Sequence, residues 1–191
     1  MRANKSRRAN IRRELMAITM AVAAASAATG AAAAVDTFLK IGDIKGESTD
    51  EKHKGEIDVL SWSWGLVGPS RSSPGVPQRP VGPQKEACAQ SITLMKGTDV
   101  ASPLLMANAA LGNNIPSATL ALRRSGEGAE DFLVVTMKDV IISAISTGGS
   151  SEEPTESVTL SYSSARVSFK PVDVQGGVGP AVEADVPGTC P

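Results

Sequence analysis

The chain is poor in the residues that carry most enzyme chemistry. Of its 191 residues, one is His, two are Cys, three are Phe, two are Trp and one is Tyr. A single histidine excludes a multi-histidine metal centre and leaves one candidate base for any nucleophile. That residue, His53, lies in Lys52-His53-Lys54 and reads as a solvated loop histidine. No CxxC, HExxH, GxSxG or P-loop pattern occurs. Gly148-Gly149-Ser150 and Gly176-Gly177 lack the strand-to-helix setting of a phosphate cradle. Glu152, Glu153 and Glu156 surround Pro154 and read as a solvated acidic loop rather than a catalytic carboxylate pair. Asp43, Glu47, Asp50 and Glu51 miss the spacing of a calcium loop. These absences point away from an enzyme, and from any metal or cofactor.

A basic surplus is also missing from most of the chain. Six of the 19 basic residues fall in the first 34 positions, against one of the 20 acids, so the remainder carries a charge of −6. That balance argues against nonspecific nucleic-acid binding, which needs a basic footprint. The first 34 residues read instead as a signal-like leader. Arg2, Lys5, Arg7, Arg8, Arg12 and Arg13 precede an uncharged, Ala-rich run over 15–34, and Ala32 and Ala34 occupy the small-residue positions before a cut at Val35. Arg7 and Arg8 form a twin-arginine candidate, with Asn10 where an aromatic residue is usual. Cleavage would leave no stable membrane anchor, since no second apolar run of spanning length comes after it.

Export would place Cys88 and Cys190 in an oxidising compartment, where pairing would close a long loop. The alternative is a half-buried Cys88 in a strand and a free Cys190 on a loose tail.

Beyond the leader the pattern is mostly β. Strands are expected over 35–41, 56–65, 86–94, 118–124, 131–146, 158–162 and 166–170. In the second of these, Leu60, Trp62 and Trp64 fall on one face and are assigned to the core, with Val59, Ser61 and Ser63 on the other. In 131–146, Phe132, Val134, Thr136, Val140 and Ile142 alternate with Leu133, Val135, Met137, Ile141 and Ile145, so both faces of that strand are apolar. Ser102-Pro103 opens one short helix with Ser102 as its cap, and Gly112-Asn113 stops it. Leu104, Leu105, Met106, Ala109, Ala110 and Leu111 supply its apolar side. Residues 68–83 hold five prolines and form a long irregular loop, while 175–191 is Gly/Pro-rich and reads as a flexible tail. The expected organisation is a leader over 1–34, a β-barrel domain over 35–174 and the tail over 175–191. Patterning alone gives a small barrel or sandwich with one flanking helix.

Three blocks carry a resemblance: VDTFLKIGDIKGESTDEKHKGEIDVLSWSWG (35–65), SPLLMANAALGNNIPSATLALRRSG (102–126) and DFLVVTMKDVIISAISTGGSSEEPTESVTLSYSSARVSFKP (131–171). Together they resemble the Hcp (haemolysin-coregulated protein) family, the ring-forming tube proteins of bacterial type VI secretion. The resemblance implies a compact antiparallel β-barrel with a helix packed on its side. It implies an assembly of six subunits in a ring, rings stacked into a tube, and effector proteins carried in the lumen. Sheath, spike and effector proteins are the implied partners, and no catalysis is implied. If the tryptophan strand lines the lumen, Ser61 and Ser63 are the cargo-facing residues. The leader departs from the family pattern, as does the Pro-rich 68–84 segment where the family is commonly Gly-rich. Three readings stay open: a tube subunit held in the cytoplasm until the apparatus releases it, an exported Hcp-like carrier or scaffold, and a monomeric extracellular binding module.

Overall fold

The computed structural model describes residues 34–68, 87–124, 130–149, 153–171 and 178–190. The twin-arginine candidate Arg7-Arg8 and most of the proline-rich loop lie outside these residues.

Among the described residues, eleven strands and one helix occur in the order β1 (Val35–Ile41), β2 (Ile57–Asp58), β3 (Ser61–Ser63), β4 (Leu66–Val67), β5 (Cys88–Ala89), β6 (Ile92–Gly97), α1 (Ser102–Leu111), β7 (Ile115–Arg124), β8 (Asp131–Gly148), β9 (Thr155–Ser161), β10 (Ser164–Phe169) and β11 (Val182–Pro187). All strand pairs are antiparallel, and the main path runs β2-β1-β7-β8-β9-β6-β3. The two ends of that path, β2 and β3, are separated by only Val59 and Leu60. At the join, the Val59 amide donates to the Thr37 carbonyl in β1 (2.9 Å) and the Leu60 amide to Met95 in β6 (2.8 Å). The run 57–63 is thus handed from β1 to β6, which returns the path on itself as a barrel.

The barrel interior is filled by aliphatic side chains at alternate positions. Leu39 and Ile41, Ile92 and Leu94, Leu120, Val135 and Met137, and Val158 and Leu160 are buried to within 1 %. The handover has a cost in register. Ile57 and Val59 point inward, then Trp62 and Trp64 pack against the core, so the inward positions slip by one residue between them. Leu60, expected in the core, is 67 % exposed for this reason. The long strand β8 slips as well. Val135 and Met137 are buried, but so are Val140 and Ile142, so the strict alternation expected over 131–146 does not hold. Asp139 sits at φ +48° between the register pairs Ile115–Val140 and Ser117–Lys138, and a second irregularity falls between Ile142 and Ala144. These breaks let one strand pair with β7 and β10 along its first half and with β9 along its second.

Helix α1 ends as expected: Gly112 adopts φ 61°, and the Gly112 and Asn113 amides bond back to Ala109 and Asn108. Its start and its apolar side differ from expectation. Ala101 is the cap residue and Ser102 makes no cap bond. Ser102 is buried and directed into an ionic cluster under the helix. Leu105 is fully buried and Ala109 partly so, the stripe that meets the sheet, whereas Leu104, Met106 and Leu111 are exposed.

The C-terminal segment, expected to be loose, contains β11, which pairs with β10 from Ser164–Pro187 to Phe169–Val182. Beyond it, a disulfide joins Cys190 to Cys88, with the two Cα atoms 5.0 Å apart. The Cys190 amide donates to Ala89, and the Ala89 amide to Gly188.

Candidate functional site

Strands β3, β6, β9 and the second half of β8 build one continuous outward face. In β6 and β9 the alternation is unbroken: Ile92, Leu94 and Lys96, and Glu156, Val158 and Leu160, point inward. Thr93 and Met95, and Ser157, Thr159 and Ser161, therefore face out. Register places Ser63 opposite Thr93 and Thr93 opposite Thr159. It places Ser61 opposite Met95, Met95 opposite Ser157, and Ser157 opposite Ser146. Neighbouring hydroxyls pair across strands, Ser91 with Ser161 at 3.0 Å and Thr93 with Thr159 at 3.3 Å. None of these outward residues is charged. Ser61 and Ser63 are both exposed at one margin of this hydroxyl face. Behind them Trp64 packs on the core, and its indole N–H donates to the Tyr162 hydroxyl at 2.6 Å.

A second feature is apolar. Leu104, Met106 and Leu111 on α1, with Val100 just before it, are between 40 % and 73 % exposed. Leu60, Leu66 and Val67 near the tryptophan strand are also exposed. Scattered single residues need no explanation, but a short helix with three large apolar side chains turned to solvent offers a contact surface.

Two buried polar clusters brace the domain, one of them under α1, although sequence pattern alone assigns Glu156 and His53 to solvated loops. Under α1, Lys96 and Glu156 are fully buried. The Lys96 ammonium lies 2.7 Å from Asp99 Oδ1 and 3.0 Å from Glu156 Oε2, and donates to the Gly97 carbonyl. The Ser102 hydroxyl donates to Glu156 at 2.7 Å, which ties the first turn of α1 to β6 and β9. Glu156 is therefore no member of a solvated acidic loop. Its inward parity in β9 is the available signal, and the preceding Glu-Glu-Pro hides it.

At the other cluster, His53 is also buried. Its ring stacks on Phe38 with centroids 4.3 Å apart. Nδ1 lies 2.8 Å from Glu56 Oε2, and Nε2 lies 3.0 Å from Asp131 Oδ1. Both ring nitrogens face carboxylate oxygens, so both bonds form together when the imidazole carries two protons. Burial alone would lower its pKa, but the hydrogen bonds to Asp131 and Glu56 and their charges outweigh that and raise it. Beside it, Asp50 accepts from the Lys52 and His53 amides and from Arg123 at 2.8 Å. The 42–56 loop is clamped in this way over β1, β7 and β8. Gly46 permits the close approach, because a Cβ there would strike the Glu56 carbonyl. Among the described residues no group of three or more His, Cys, Asp or Glu is placed to hold a metal ion.

The family model described as "Type VI secretion system effector, Hcp" matches residues 38–169. The chain belongs to the Hcp family. The Hcp1 protein of Pseudomonas aeruginosa is 39 % identical over 146 residues, which is 75 % of this chain and 88 % of that protein. Among solved structures, one described as a type six secretion system protein superposes with a TM-score of 0.70 at 26 % identity, covering 80 % of this chain and 93 % of that one. Hcp1 of Salmonella typhimurium gives a TM-score of 0.60 at 33 % identity, with 80 % and 94 % covered. A type VI secretion system effector from Yersinia pestis gives 0.60 at 29 % identity, with 79 % and 100 % covered. This chain is thus a type VI secretion protein of the Hcp family, with the β-rich fold of that family.

Proposed function

We propose that this Hcp-family chain acts as a non-catalytic ring subunit. In this reading six copies close into a ring, rings stack into the expelled inner tube, and effectors travel in its lumen, with the sheath and spike as further partners. The observation that carries it is the division of one subunit's surface. A charge-free face, rich in hydroxyls and interrupted by Met95 and Ile141, runs over β3, β6, β9 and β8, while most of the exposed large apolar side chains lie on α1, near the tryptophan strand and at other sites off this face. A closed assembly covers the second and leaves the first wet. Ser61 and Ser63 then line the lumen, where short hydroxyls leave room for cargo. Native mass measurement with negative-stain imaging tests the assembly: six-fold rings are expected, and a clean monomer would overturn it. Ser63→Gln is expected to weaken cargo retention while leaving the subunit folded; unchanged retention would remove Ser63 from the lumen.

The disulfide favours a second element of the reading, that the folded domain ends in an oxidising compartment. A cut after Ala34 fits this, because Val35 is the first residue of β1 and is half exposed, so cleavage leaves the strand whole. N-terminal sequencing of the protein recovered outside the cytoplasm should then begin at Val35. An uncut leader on that material would favour a cytoplasmic subunit released by the apparatus itself.

A further inference from the structure

The sheet has one edge that the chain closes with its own C-terminus. Strand β10 pairs with β8 on one side and with β11 on the other. Strand β11 pairs with no other strand and only approaches β5. Five of its six residues are exposed, and only Val186 packs against the core. Its one ion pair among the described residues, Arg166–Asp185, joins two exposed side chains. A strand with one neighbour and few buried apolar contacts sits at the low end of local stability. The next residues, 188–190, are more firmly held. Gly188 passes so close to Ser163 that a Cβ would strike the Ser163 carbonyl, and the Thr189 amide donates to Tyr162 at 3.0 Å. Cys190 is then bonded covalently to Cys88. Cys190 is exposed and Cys88 half-buried, so a small thiol can reach the bond.

We propose that residues 182–190 form a redox-controlled strap: the Cys88–Cys190 disulfide holds β11 on β10, and reduction releases β11 and uncovers the β10 edge. A dithiol reductant supplies the electrons. Its thiolate attacks one cysteine sulfur and expels the other as a thiolate; its second thiol then attacks the mixed disulfide and expels the first, leaving two cysteine thiols and the oxidised, cyclic reductant. In oxidising surroundings the strap is closed and the edge is blocked. The strap lies within one subunit and does not depend on ring formation.

Amide hydrogen exchange on the purified full chain, oxidised and after dithiothreitol, tests this. The β11 amides that face β10 are expected to exchange at least roughly tenfold faster after reduction, with β7 and β9 within roughly twofold of the oxidised protein. Cys190→Ser without reductant should reproduce the reduced pattern, which separates the bond from any other effect of the thiol. Protection of 182–187 that survives both reduction and Cys190→Ser would overturn the strap. Loss of protection throughout the barrel would overturn it too, because the disulfide would then hold the whole fold rather than one strand.

Discussion

The Lys96 cluster under α1 and the His53 cluster in the 42–56 loop are both buried ionic groups that link distant parts of the chain. They differ in dryness and in chemistry. Lys96 and Glu156 are completely enclosed, and the Lys ammonium has Asp99, Glu156, Ser102 and a backbone carbonyl around it. His53 is enclosed, but its two acids remain 20 % and 28 % exposed. The first cluster is thus a fixed bolt sealed from water. The second contains the one side chain in the protein whose charge changes near neutrality. Burial decides how much each cluster matters, and the imidazole decides which one answers to pH.

Removing one partner of the dry cluster gives the largest effect. Lys96→Met leaves Glu156 and Asp99 facing each other without a counter-charge. It is expected to cost about 3–5 kcal/mol in urea unfolding. The double variant Lys96→Met/Glu156→Leu should recover much of that loss, since the buried charge is then gone from both sides. A double variant no better than the single one would show that packing under α1, not charge, dominates there. His53→Ala removes the Phe38 stack and two charge-assisted bonds, yet its acids can rehydrate. Its cost should be smaller, about 2–3 kcal/mol by the same measurement. If His53→Ala costs as much as Lys96→Met, the contrast in dryness fails.

The two clusters also show why the fold is legible in the sequence and the bracing is not. Short apolar and β-branched runs locate β1, β6, β8, β9 and β10, and Gly112-Asn113 marks the end of α1, because those signals are local. Leu60, Ser102, His53 and Glu156 mislead because their surroundings are assembled from far along the chain. Leu60 turns outward where its strand changes partners from β1 to β6, an event no single-strand pattern encodes. His53 lies between lysines in sequence, but Asp131, 78 residues away, reaches its ring. Glu156 sits 60 residues from Lys96. Of the candidate lumen pair, Ser61 and Ser63, the outward direction is readable. The hydroxyl rows of β6 and β9 beside them become visible only through register.

A pH titration sharpens the comparison further. The folded pKa of His53 is raised above its ordinary value of 6.5. Its contribution is therefore complete below that value and is lost as pH climbs through the folded pKa. The melting temperature should fall over that rise in wild type, and this component should vanish in His53→Ala. Lys96→Met should lower the melting temperature at every pH while keeping the same His53-dependent slope. Because the chain has a single histidine, the ring resonances report its titration directly by NMR. A midpoint at or below 6.5 would refute the clamp.

The smallest effect belongs to a pair that lacks burial altogether. Arg166 bonds Asp185 through both Nε and a terminal nitrogen, at 2.8 and 3.3 Å, in the same bidentate style that buried pairs use. Both side chains are more than half exposed, so water and salt screen the attraction. The hydrogen bond from Arg166, aided by its charge, holds Asp185 below the usual carboxylate value. Arg166→Ala should let that pKa return toward normal while the urea midpoint of the oxidised protein stays where it is. Good geometry without burial would then change a titration and leave stability alone. A clear drop in the midpoint would mean that geometry contributes as much as dryness, and the ranking of the two buried clusters would need another cause.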